Sequence, residues 1–127
     1  MTTSETLAES FRRTYRVIHR QLNGLTHEDS LLQPPFRGNC LNWLLGHIVF
    51  SREPVLRFLK VDLPWTEAES ARYTRNSEPI TSAEQALPLD QLLNDLEESQ
   101  TRILTALRQV SPEKLETVIG DETVAEK

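Results

Sequence analysis

The chain has 127 residues, with 14 Lys or Arg against 19 Asp or Glu, a net charge of -5 and one cysteine. That size suits a single domain with one core, and the acidic balance argues against a general nucleic-acid binder, whose phosphate affinity needs clustered cations. Cys40 alone excludes an internal disulfide and fits a reducing compartment.

Four glycines and an abundance of Leu, Glu, Gln and Arg favour helix over sheet. The opening stretch Met1 to Thr6 lacks the basic and apolar regions of a secretion signal. The apolar runs fall far short of the ~20 residues that span a bilayer. The expectation is a cytoplasmic protein without a membrane partner.

The first helix is predicted from Ser4 to Asn23, with Thr2 and Glu5 at capping-box spacing. Leu7, Phe11, Tyr15, Ile18 and Leu22 recur at intervals of three and four and form one apolar stripe. Arg13, Arg16 and Arg20 fall on the opposite side and read as a solvated face. His19 borders the stripe. Gly24 suits the left-handed residue that closes a helix. Thr26 to Asp29 then reads as a cap opening a short helical turn, which Pro34-Pro35 ends, with His27 solvated within it.

The second helix begins at Asn39, a good N-cap. Leu41, Leu44, Leu45, Ile48, Val55, Leu56 and Leu59 define its buried face. Pro54 removes a backbone donor and predicts a kink or break near Phe50 to Pro54. His47 falls on the flank of the stripe, on the side of Cys40, Trp43 and Ser51, at a seam between helices.

Residues Lys60 to Ala86 form an unusually long connection, which implies a crossover or a functional loop. Trp65 and Tyr73 are expected to pin it to the bundle. The third helix runs from about Pro88 to Gln109 on Leu89, Leu93, Leu96, Ile103, Leu107 and Val110, with Gln100 the one polar intrusion. Asp95, Glu97 and Glu98 are assigned to its solubilising side. Ser111 to Lys114 reads as a cap and first turn, Gly120 to Glu122 as a turn, and Thr123 to Lys127 as the start of a further helix.

No Cys-x-x-Cys, His-Glu-x-x-His, phosphate-binding glycine loop, Gly-x-Ser-x-Gly or Glu-x-x-His motif is present. His47 therefore has two readings. From pattern alone a structural histidine with its hydrogen bonds satisfied is favoured over a metal ligand, since no partners stand at ligand spacing. Cys40 could join His47 in a thiol site, against the blander reading of a buried inert thiol. Trp43 either walls a pocket or is plain core.

The order of parts carries more. Gly24-Leu25-Thr26, Glu28, a proline pair, Asn42-Trp43-Leu44-Leu45-Gly46-His47-Ile48 and later Leu107-Arg108-Gln109-Val110-Ser111-Pro112-Glu113-Lys114-Leu115 together resemble the DinB/YfiT-like superfamily. The resemblance implies an all-α, up-down-down-up four-helix bundle, here with three long helices, short turns and the beginning of a fourth. It implies a divalent metal, nickel or zinc, held by three histidines, with His47 at the second-helix ligand position and Trp43 shaping the pocket.

The other two ligands of that family form a His-x-x-x-His pair on the fourth helix. They have no counterpart before Lys127, so the metal is expected to be weak or absent in this chain. The implied activity is a metal-dependent thiol S-transferase or hydrolase acting on a small thiol or electrophile. Apolar stripes left without a fourth helix further imply a homodimer, formed by packing or by helix exchange. The alternative is a non-catalytic helical dimerisation or binding module.

Overall fold

Three helical rows set the architecture of the computed structural model, which describes residues 3–35, 38–58, 60 and 65–114. Helix α1 spans Ser4–Leu22, α2 His27–Ser30, α3 Leu41–Ser51, α4 Glu53–Phe58, α5 Glu67–Ala71 and α6 Leu89–Gln109. No strand occurs among the described residues.

The apolar stripes dictate the packing. Ala8 near the start of α1 lies with Ile103 and Leu107 near the end of α6. Leu22 at the other end belongs with Leu89, Leu92 and Leu96. The two helices are therefore antiparallel. Asn42 at the start of α3 bonds to Leu87, just before α6, while Arg52 at its end bonds to Ser99 and Gln100. Helices α3 and α6 therefore run the same way. An up-down-down course follows for α1, α3 and α6.

Local chemistry sets the ends, sometimes one residue from where it was expected. Helix α1 is capped by Thr3, whose hydroxyl accepts the Thr6 N–H at 3.1 Å, and Thr2 lies outside the described residues. Gly24 adopts φ 83°, the left-handed conformation that costs glycine little. Thr26 caps α2 as expected, and with Asp29 it forms a reciprocal capping box.

Helix α3 is capped by Cys40 and not by Asn39, whose Oδ1 is buried without a partner among the described residues. The break foreseen around Pro54 is present: α3 ends at Ser51, Arg52 is its C-cap, and α4 restarts at Glu53.

Three assignments are corrected. Leu44 is 46% exposed and stands off the core. Asp95 is 8% exposed, because the returning crossover lays Trp65 against α6 and its indole N–H donates to Asp95 Oδ2 at 2.6 Å. Burying that donor requires an acceptor; only Glu97 and Glu98 stay at the surface. His27 is half-buried, and its Nδ1 accepts the Leu89 N–H at 3.1 Å. Pro88, the N-cap of α6, has no side-chain acceptor, so this imidazole satisfies one of the orphan donors of the first turn.

The expected long connection also contains a helix, α5, opened by a Thr66–Glu69 capping box. Leu59, Gly120 to Glu122 and Thr123 to Lys127 lie outside the described residues.

Candidate functional site

His47 sits in the second half of α3 where the crossover passes over that helix. Its Nδ1 lies 2.8 Å from the carbonyl oxygen of Tyr73, a residue 26 positions later. A carbonyl can only accept, so Nδ1 carries the proton, and in the neutral ring the lone pair is on Nε2. Among the described residues Nε2 has no hydrogen-bond partner.

The ring face is fixed as well. Trp43, one turn earlier, stacks on it with centroids 4.7 Å apart and planes 8° from parallel. Trp43 is anchored in turn by its indole N–H to Ser77 Oγ at 2.8 Å, and Ser77 Oγ donates to the Arg72 carbonyl at 3.0 Å. The half-buried imidazole is thus held by one hydrogen bond and one stack, both referred to residues 72–77 of the crossover.

The crossover is itself held from below. Tyr73 is fully buried; its hydroxyl donates to Asn42 Oδ1 at 2.7 Å and accepts the Leu87 N–H at 2.9 Å. Asn42 Nδ2 donates to the Leu87 carbonyl at 2.9 Å, closing a buried triangle. Burial pushes the Tyr73 phenol above its ordinary range, partly offset by the Leu87 N–H, so the hydroxyl remains a donor. Gly46, next to His47, lies against the Tyr73 ring so closely that a Cβ there would meet ring carbons. That contact lets the crossover come near enough for its carbonyl to reach His47.

The structure brings His47 and Trp43 together by stacking, whereas the Cys40 thiol is engaged by the crossover. The Cys40 thiol is 1% exposed and donates to the Ile80 carbonyl at 3.5 Å. His19 is exposed beside Tyr15, and His27 is bound at the start of α6. Trp65 and Tyr73 pack on one another in the core with centroids 5.3 Å apart. No group of three or more His, Cys, Asp or Glu side chains able to hold a metal occurs among the described residues.

Sequence reasoning missed Arg52, which is 5% exposed at the end of α3. Its position was legible. Leu45, Val49, Arg52 and Leu56 fall at helical spacing on one inward face, and the other three are core residues. Its Nη1 donates to Ser99 Oγ at 3.1 Å and to Gln100 Oε1 at 3.0 Å, which explains the polar intrusion in the α6 stripe.

A helix-only bundle with a histidine on the inner flank of its second long helix, under a long crossover, defines the class of protein at hand. A sequence model of the DinB superfamily matches residues 10–126, and the chain belongs to that superfamily. No curated protein and no solved structure matches it.

Proposed function

We propose that the chain is a divalent-metal-handling DinB-type protein in which His47 presents Nε2 as a neutral imidazole donor. The observation that carries this reading is the Nδ1 contact to the Tyr73 carbonyl at 2.8 Å, with Nε2 unpartnered among the described residues. Metal-bound histidines donate their second ring N–H in this way, which fixes the tautomer and raises the basicity of the ligating nitrogen. The Trp43 stack restrains the same ring, so little orienting entropy is left to lose on binding.

The residues fit the metal as one donor and not as a complete site, since no cluster of three ligating groups occurs among the described residues. The remaining donors come from outside that set. A divalent ion so completed would lower the pKa of a bound water or thiol and supply a nucleophile, the chemistry of a thiol S-transferase or hydrolase. What this chain contributes is the aimed lone pair, the flat indole wall and the carbonyl that keeps the proton on Nδ1.

Equilibrium dialysis of untagged protein against Zn2+ and Ni2+, with elemental analysis, tests this reading. Wild-type protein is expected to bind the ion with about ten-fold or more higher affinity than His47→Gln at unchanged thermal stability. Equal binding by the two proteins would refute it.

A second reading, a non-catalytic association module, is favoured by Leu44, which is 46% exposed one turn before His47. Sedimentation velocity at micromolar concentration is then expected to give a dimer that Leu44→Glu dissociates. A monomeric wild type sinks that reading.

A further inference from the structure

A groove of about 370 Å³ opens between α1 and the α3–α4 row. Phe11 forms one wall, Ile48 and Val55 the other, and Thr14 and Ser51 add hydroxyls. Arg52 lines it too and is only 5% exposed.

A guanidinium this deep ordinarily has a carboxylate beside it, because burying an unpaired charge is costly. Arg52 has none among the described residues. Its only hydrogen bonds there, to Ser99 and Gln100, are made through Nη1. The Nε–Nη2 edge, the fork that takes a carboxylate through two parallel hydrogen bonds, is unused among the described residues. The guanidinium carbon lies over the Phe11 ring, 5.5 Å from its centroid. Burial pushes the Arg52 pKa down to about 10, which still leaves the group cationic at neutral pH.

We propose that this groove is a binding site for a small amphiphilic monocarboxylate, with the carboxylate on the Nε–Nη2 edge of Arg52 and the aliphatic tail between Phe11, Ile48 and Val55. The charge selects an anion. The apolar walls select a tail, and at about 30 Å³ per heavy atom the volume takes on the order of ten non-hydrogen atoms. A phosphate or an inorganic anion would satisfy the guanidinium and leave the walls wet. Binding there uses neither the His47 ring nor a metal.

Isothermal titration calorimetry with octanoate below its micellar concentration, beside 1-octanol as the uncharged control, tests the proposal at pH 7. Octanoate is expected to bind at one site, about ten-fold more tightly than octanol. Arg52→Met is expected to erase that preference, and Arg52→Lys, which keeps the charge without the fork, to reduce it. Ile48→Trp, which fills the groove while keeping Arg52, is expected to abolish binding of both ligands, so a folding failure of the arginine variants does not leave the proposal unexamined.

Equal affinities for octanoate and octanol, or octanoate binding unchanged in Ile48→Trp, would overturn it. So would no binding to the wild type, the result if a helix of this chain or of a second copy covers the groove.

Discussion

Gly46→Ala is expected to destabilise the protein by about 3 kcal/mol, the sum of an overpacking cost of about 1–3 kcal/mol and of hydrogen bonds disturbed when the ring is displaced. The added methyl would enter the space of the Tyr73 ring, and that ring cannot yield cheaply. It is fully buried, and its hydroxyl is held by both Asn42 and Leu87. Urea unfolding is expected to show a lower midpoint at an unchanged slope. The same substitution moves the Tyr73 carbonyl from His47, so metal affinity should fall with stability. A loss below about 0.5 kcal/mol, the range of an ordinary surface change, would mean that the crossover slides freely over α3.

Asn42→Ala is the second large effect. It leaves the Leu87 carbonyl without its side-chain donor and the Tyr73 hydroxyl without its acceptor, both in a fully buried setting. Each unsatisfied group costs about 1–3 kcal/mol, so a loss of about 2–6 kcal/mol is expected. Tyr73→Phe cuts the same triangle from the other side. The double variant should therefore lose less than the sum of the two single losses, by about 1 kcal/mol or more. Additive losses would show that the three groups do not act as one network.

The stripes of α1 and α6 were readable because their partners are apolar side chains whose spacing follows the helical repeat. The break at Arg52 was readable from Pro54, whose missing N–H is a local fact. What escaped depends on groups far apart in the chain. Asp95 looks like any surface carboxylate until Trp65, 30 residues earlier, lays its N–H on it. His27 looks solvated until the first turn of α6, 62 residues later, arrives short of an acceptor.

The candidate site divides in the same way. The seam position of His47 followed from the pitch of α3, and Trp43 one turn before it followed too. The bond that sets the imidazole tautomer goes to a backbone carbonyl, which every residue type carries, so the identity of residue 73 could not announce it. Gly46 was the one available sign, since a glycine inside an apolar helix suggests a close approach by another element. The exposure of Leu44 escaped because periodicity marks a face as apolar without saying what covers it.

Nitrogen-15 NMR of the imidazole reads directly whether His47 is held Nδ1-protonated with Nε2 free for a cation, as proposed. Long-range proton–nitrogen correlation above the pH of histidine protonation is expected to place the proton on Nδ1, with Nε2 at the shift of an unprotonated ring nitrogen. Titration with Zn2+ is expected to move Nε2 first and furthest, while the Nδ1 proton stays bonded to the Tyr73 carbonyl. A ring protonated on Nε2, or an Nε2 resonance indifferent to the metal, would rule out His47 as a ligand held in this way.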